Sequence, residues 1–304
     1  MSSQSQAATA IPATSVEPGS GSGLLADAWR DLRRNPLFVG AGVVVLLMLL
    51  AAAFPQLFAG WFGHGNPYVC DLSSSQGGPR SGHPFGFDVQ GCDLYANAIY
   101  GARASISVGL LVTATDALFA VVVGSLAGYY GGLVDTVISR ITDIFFAFPF
   151  ILGALVILAV VPARNVITVS MILALFNWPA FARLMRSTVL ATKDQEYVMA
   201  AKAMGAGDRR LLLRHIIPNA MAPMLVIATL SVGQVIVAEA TLTFLGIGLQ
   251  APAISWGLEL SVAQQYFQQA PHLLLFPAGL LTLTVLAFIV LGDAIRDALD
   301  PKLR

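Results

Sequence analysis

Apolar residues fall along this chain in long blocks, neither alternating as in a half-buried strand nor striped as in a surface helix. Six blocks come close to or exceed the roughly 20 residues, at about 1.5 Å each, with which a helix crosses a bilayer. They are 38–58, 106–129, 144–161, 166–182, 221–238 and 273–291. The first, third and fourth contain no charged residue, the second contains Asp116 alone, and the fifth runs into Glu239. A turn, Pro162-Ala163-Arg164-Asn165, separates the third from the fourth, which carries Asn177 and Pro179 and is the weakest of the six. The first block is too long, and begins too far into the chain, for a cleaved signal segment, so it reads as a retained anchor. The pattern predicts an all-α fold, a polytopic membrane bundle of six transmembrane helices.

Composition agrees with the pattern. Of 304 residues, 56% are hydrophobic and 11% charged, with a mean hydropathy of +0.74. A soluble domain carries roughly 25% charged residues to cover its surface. Lys+Arg and Asp+Glu are 17 each, so no basic excess points to nucleic acid. None of Lys193, Lys202 and Lys302 sits in a phosphate-binding G-x-x-x-x-G-K-[ST] loop, so the chain has no P-loop for ATP. His64, His83, His215 and His272 lack the spacing of metal ligands, and no nucleophile–base pair or carboxylate dyad is evident. The expectation is a non-enzyme with no catalytic residue, metal or cofactor of its own.

The basic residues orient the bundle. With the N-terminus on the cytoplasmic side, fourteen Lys and Arg fall inside and only Arg80, Arg103 and Arg164 outside, which predicts that both termini are cytoplasmic. The domain organisation follows. Residues 1–23, rich in Ser, Gln, Thr, Pro and Gly, read as a disordered cytoplasmic tail. Residues 24–58 hold the anchor, preceded by Leu24, Leu25, Ala28, Trp29 and Leu32 at helical spacing with Arg30, Arg33 and Arg34 between them. That stretch is either an amphipathic helix on the lipid surface or the solvated start of the first span. Residues 59–105 form an extracytoplasmic loop, 106–292 the core with a cytoplasmic loop at 183–219, and 293–304 a cytoplasmic C-terminal tail.

The cytoplasmic loop reads as two short helices. Thr192-Lys193-Asp194-Gln195 has the form of a capping box before Glu196, and Gly205 and Gly207 supply a stop. Asp208 then caps a second helix that Pro218 ends. Ala200, Ala201 and Ala203 would let a partner approach the first helix closely. On the residues alone, the hairpin either docks a partner or rests on anionic headgroups through Arg209, Arg210 and Arg214.

Here the chain resembles a known family. Glu196-x3-Ala200-Ala201-x3-Gly205, followed by His215-Ile216-Ile217-Pro218-Asn219, is similar to the EAA loop of ABC-importer permeases. Further segments resemble the second permease of dipeptide, oligopeptide and nickel importers. They are His83-Pro84-Phe85-Gly86-Phe87-Asp88-x2-Gly91-x-Asp93, Tyr100-Gly101-Ala102-Arg103-x-Ser105, and Gly128-Tyr129-Tyr130-Gly131-Gly132 with Asp135, Arg140 and Asp143. Ala238-Glu239-Ala240-x-Leu242-x-Phe244-Leu245-Gly246-x-Gly248, Ser255-Trp256-Gly257 and Gly292-Asp293-x2-Arg296-Asp297-x-Leu299-Asp300-Pro301 complete the set, which spans residue 30 to the C-terminus. Cys92 stands where the family usually has Arg, Ile289 where Asn is common, and 64–82 is unusually rich in Gly and Ser.

The resemblance implies one half of a translocation pore in a bacterial inner membrane. Its implied partners are a homologous second permease, two ATP-binding subunits that hold ATP and Mg, an extracytoplasmic substrate-binding protein and membrane lipid. It implies that Glu196, Ala200, Ala201, Gly205, His215 and Pro218 carry ATPase coupling. Dipeptides or oligopeptides are the expected cargo, with nickel chelates as the alternative. A self-sufficient secondary carrier would need its own ion-coupling groups in repeated halves, and a membrane scaffold would not need the importer-type motifs.

Three features remain open on sequence. Asp116 lies about 15 Å into its span at helical rise, as either a pore-lining acid or a locally hydrogen-bonded one beside Thr113 and Thr115. Glu239, with Gln234 on the same helix, lies near the outer end of its span, serving either an outer gate or a structural hydrogen bond. Cys70 and Cys92, the only cysteines, both fall in the outer loop on the oxidising side, as either a disulfide pinning a lid or two free thiols.

Overall fold

The structure, a computed structural model, describes residues 29, 30 and 32–299; the tail at 1–23, most of the amphipathic segment and residues 300–304 lie outside it. The described chain is almost wholly helical, without a strand among these residues. The long helices are α1 (Pro36–Ala53), α3 (Leu94–Tyr130), α6 (Val166–Lys193), α8 (Asp208–Phe244) and α10 (His272–Leu299), each long and apolar enough to cross a membrane. Shorter ones are α2 (Pro55–Ala59), α4 (Gly132–Ala147), α5 (Phe150–Val160), α7 (Glu196–Ala203) and α9 (Trp256–Ala263).

Prolines explain where the spans break. Phe54 and Phe148 precede Pro55 and Pro149 and take non-helical backbone, because the proline ring disfavours the α conformation of the residue before it. The expected first span therefore divides into α1 and α2. The expected third span begins earlier than 144, as α4 and α5 bent by 80°. Contacts at both ends of this pair show that it connects opposite faces of the bundle. Tyr129, just before α4, donates its hydroxyl to Asp208 at 2.7 Å on the face carrying the 194–207 loop. Arg164, just after α5, donates to the Gly246 carbonyl at 3.2 Å on the other face. With the bent pair counted as a span the chain crosses six times, and both ends of the described chain lie on the loop face.

Two boundaries differ from the sequence expectation. Pro218 does not end a loop helix: α8 runs unbroken from Asp208, with a π-helical stretch at Leu211–Ile216 that stops one residue short of the proline. A proline lacks an N–H and crowds the carbonyl four residues back, and a wide i→i+5 turn relieves both conflicts. The last helix likewise continues to Leu299, beyond the expected boundary at 292.

The core of the bundle is the crossing of α3 with α6, made close by glycines. A Cβ on Gly124 would meet the Ala182 carbonyl oxygen at 2.7 Å and Met185 Cβ at 2.8 Å; one on Gly128 would meet the Arg186 carbonyl oxygen at 2.8 Å. Farther along α3, Gly109 faces Ile236 and Val232 of α8 just as tightly. Lipid offers no hydrophobic drive between helices, so close backbone approach supplies dispersion contact instead. Around this spine α1 lays Ala41, Val45 and Ala52 against Ile106, Val232 and Phe288, joining α3, α8 and α10.

A polar knot sits within the same crossing. Asp116 of α3 is fully buried, and its Oδ2 accepts from Asn177 Nδ2 of α6 at 2.6 Å. The same amide lies 3.3 Å from Ser231 Oγ of α8. Three helices thus share one amide, and the Asp116 Oδ1 atom has no protein partner.

Stability measurements test these contacts. Gly128→Val should lower stability by about 1–3 kcal/mol through overpacking, read as a fall in the thermal midpoint of the detergent-purified protein. Gly279→Ala, where nothing lies within 4 Å, should leave that midpoint unchanged or raise it; equal behaviour of the two variants would refute the close-crossing account. Asn177→Ala strips Asp116 of its donor and should destabilise by about 1–3 kcal/mol; a variant as stable as the parent would show that the knot contributes nothing.

Candidate functional site

The 194–207 loop is built to hold one short helix at a fixed place. The expected capping box does not form: α6 continues to Lys193, and Thr192 Oγ1 donates back to the Thr188 carbonyl at 2.7 Å within that helix. Gln195 is the N-cap residue of α7 and makes no side-chain cap bond. Glu196 in the first turn and Lys202 in the last instead complement the helix dipole. Gly205 ends the helix at φ +86°, a left-handed conformation that costs an L-residue about 1–2 kcal/mol. Gly207, not Asp208, is then the N-cap residue of α8.

Two tethers fix this loop to the foot of α3. Lys193 Nζ donates to the Gly128 carbonyl at 3.0 Å, and Asp208 Oδ1 accepts from the Tyr129 hydroxyl. Beside them, the Arg186 guanidinium of α6 grips both carboxylate oxygens of Asp135 on α4, and Arg183 meets Asp143 at 3.0 Å. On α7 itself, Val198 and Ala201 are buried, within a cluster that includes Val189, Leu211, Ile216 and Ala220. The other face presents Glu196, Tyr197, Met199, Ala200 and Met204, all exposed. Glu196, Ala200 and Gly205 therefore lie at the surface, whereas Ala201 is packed inward. His215 is half-buried inside the π-helical stretch, and Pro218 is exposed just beyond it.

The acids singled out from sequence do not form one constellation. Asp116 is held in the three-helix knot with Asn177, not beside the hydroxyl of Thr113, which itself lacks a partner. Glu239 is buried where α8, α3 and α9 meet. Its Oε1 accepts from Thr243 at 2.8 Å, Ser105 and Ser255 are neighbours, and its Oε2 has no partner. Gln234 is exposed on a different side of α8 from Glu239. Above Glu239 the buried Trp256 donates its ring N–H to the Ala98 carbonyl at 2.9 Å and its backbone N–H to Ser105 Oγ at 3.3 Å, docking α9 onto α3.

On the opposite face from α7, residues 54–93 form an ordered cap. Cys70 and Cys92 are joined in a disulfide. Asp93, fully buried, caps α3 through the N–H groups of Tyr95 and Ala96 while its other oxygen lies 2.8 Å from His83 Nδ1. Position 91 requires glycine twice over: its φ is +75°, and a side chain there would strike the Asp71 carbonyl. Sequence reasoning assigns no role to Asn177, Ser231, Tyr129, Asp208, Arg186 or Glu259 of the kind the structure gives them. Of these, Glu259 carries the plainest signal, a lone carboxylate within the otherwise uncharged stretch 254–263.

Comparison with known proteins agrees with this architecture. Residues 120–304 match the family described as "Binding-protein-dependent transport system inner membrane component". Residues 23–71 match the "N-terminal TM domain of oligopeptide transport permease C". The chain is 40% identical to the dipeptide transport system permease protein DppC of Alkalihalophilus pseudofirmus, over 91% of this chain and 90% of that protein. It is 39% identical, with the same coverage of both chains, to the glutathione transport system permease protein GsiD of Pectobacterium atrosepticum and to the oligopeptide transport system permease protein OppC of Bacillus subtilis. A multi-pass helical bundle matched by family over more than half its length, and by relatives over nearly all of it, belongs to the inner-membrane permease components of binding-protein-dependent ABC importers.

Proposed function

We propose that this chain is the permease for short peptides in an ATP-driven importer, pairing with a homologous permease to enclose the pore. Two ATPases on the cytoplasmic side, holding ATP and Mg, drive it, and an extracytoplasmic binding protein delivers the cargo. The observation that carries this reading is α7: a helix tethered to α3 and α8 on one face while Tyr197, Met199, Ala200 and Met204 stand uncovered on the other. Exposed apolar side chains at the water-facing end of a bundle suit a docking groove on a partner.

The mechanism follows from the tethers. Closure of the ATPase pair on ATP moves α7 as a rigid body, since Val198 and Ala201 seat it against the base of α8. The Lys193 and Tyr129–Asp208 contacts pass that displacement to the foot of α3, where α3 and α6 are locked together at Gly124 and Gly128. Spans so packed shift as units between two arrangements, which converts a local push into a switch of access from one face to the other. Gln234, a polar side chain left uncovered in the outer part of its span, suits the surface toward the second permease or the pore better than lipid. The names of the relatives favour dipeptides, oligopeptides or glutathione as cargo over nickel chelates.

The docking role is tested on the assembled complex. Ala200→Trp adds bulk to the exposed face with no backbone conflict, and should cut substrate-stimulated ATP hydrolysis more than tenfold while helicity and assembly of the spans persist. Gly205→Trp should do the same. If stimulated turnover survives both changes, α7 is not the docking element. The cargo is tested by uptake of labelled dialanine into proteoliposomes containing all subunits. ATP-dependent accumulation is expected, and its absence beside active uptake of a nickel chelate would overturn the peptide reading.

A further inference from the structure

A cavity of about 350 Å³ lies on the face opposite α7, between the 54–93 cap and α9. That volume is within the range of small-molecule sites, about 300–1,000 Å³. Its walls are mostly apolar, among them Pro67, Val89, Leu258, Val262 and Leu273, and the disulfide Cys70–Cys92 forms part of one side. Exposed Tyr68 and Gln90 stand at its edge.

Two carboxylates line this apolar space. Asp88 is held by the cap: Oδ1 accepts from the N–H groups of Gln90 and Cys92, each at 2.8 Å, and Oδ2 from Asn97 at 3.1 Å. Glu259, on α9, is different. Neither of its carboxylate oxygens is open to solvent or to the cavity space, Oε1 lying toward Gly101 of α3, and neither has a hydrogen-bond partner among the described residues. A buried, unpartnered carboxylate carries a large desolvation penalty, which a group bearing the complementary charge would offset. Burial and the neighbouring charge of Asp88 both push the Glu259 carboxyl well above the usual carboxylate range, a repulsion that a cation between the two would relieve.

We propose that this cavity binds a primary ammonium group bearing a small apolar substituent, the Glu259 carboxylate turning from its packed position into the cavity as principal acceptor and Asp88 serving as the second carboxylate. A metal ion fits poorly. Calcium takes six to eight oxygens, and the described residues contain no group of three or more His, Cys, Asp or Glu able to hold a metal. An ammonium group donates three hydrogen bonds, and the apolar walls accommodate the carbon skeleton beside it. The amino terminus of a short peptide has this chemistry, as does a free alkylamine. For a peptide the two carboxylates repel the opposite terminus, so the chain would be received amine first. This assignment of cargo rests on the peptide-importer reading above.

The test uses the full complex of both permeases and both ATPases in lipid nanodiscs, without the binding protein. Dialanine, N-acetyl-dialanine and n-propylammonium are titrated by saturation-transfer NMR. Dialanine should bind at least tenfold more tightly than its acetylated form. Glu259→Gln should weaken dialanine about tenfold or more, the scale of a hydrogen bond to a charged group, and leave the acetylated peptide unaffected. Asp88→Asn, which keeps acceptors for the cap N–H groups, should act in the same direction and decides the matter if the complex carrying Glu259→Gln does not assemble. Binding of n-propylammonium at the same site marks a general ammonium pocket; its failure beside dialanine binding marks recognition of the peptide terminus, and both outcomes support the proposal. Equal binding of the free and acetylated peptides, indifference to both substitutions, or displacement of dialanine by calcium or nickel would overturn it. Loss of peptide uptake by the wild-type proteoliposomes is a separate result, which sinks the transport reading rather than the pocket.

Discussion

Helices α3 and α6 approach until the backbone of one touches the side-chain roots of the other, and the position of nearly every other element follows from that crossing. In a bilayer such contact replaces the hydrophobic drive that folds soluble domains. It is possible only where Gly124 and Gly128 present no Cβ to Ala182, Met185 and Arg186. Once α3 and α6 are fixed, α8 reaches both of them through Ser231, Asn177 and Asp116, and α1 fills the remaining flank with Ala41, Val45 and Ala52. The cap over the opposite face is fixed to the same helix, because Asp93 is at once the N-cap of α3 and the partner of His83.

The tethers of the exposed loop end on this crossing as well. Lys193 reaches the carbonyl of Gly128, one of the two residues that allow the close approach, and Tyr129 beside it holds Asp208. A force on α7 therefore arrives at a rigid point of the bundle instead of dissipating in a flexible connector. The Arg186–Asp135 pair adds α4 to the same point. Such an arrangement suits a subunit whose energy source lies in another chain.

The spans, their order and the loop helix are legible in the residues, because uninterrupted apolar length is a strong local signal and the 196–205 spacing is distinctive. The helix ends are not. Thr192 and Gln195 make a capping box on paper, yet α6 keeps Thr192 in its own last turn, where its hydroxyl finds a carbonyl four residues back. Pro218 ordinarily ends a helix, but nothing in the sequence announces the wide turn at 211–216 that accommodates it. Asp116 is recognisable as an interior acid, whereas its partner Asn177 lies 61 residues away and only the tertiary fold brings them together. The isolation of Glu259 is a property of the cavity around it: one carboxylate in a short helix has no periodicity to reveal its setting.

The π-helical stretch at Leu211–Ile216 separates two parts of one 37-residue helix. One residue added to a regular helix turns everything beyond it by about 100°, and a wide turn absorbs such an increment without breaking the rod. The azimuth of the segment beside α7 is thereby offset from the one that a regular helix would impose on it from the face α8 presents to α3, α6 and α10. A change of surface at one end need not re-phase the packing of the membrane interior at the other, so the two ends of this helix can diverge separately under selection.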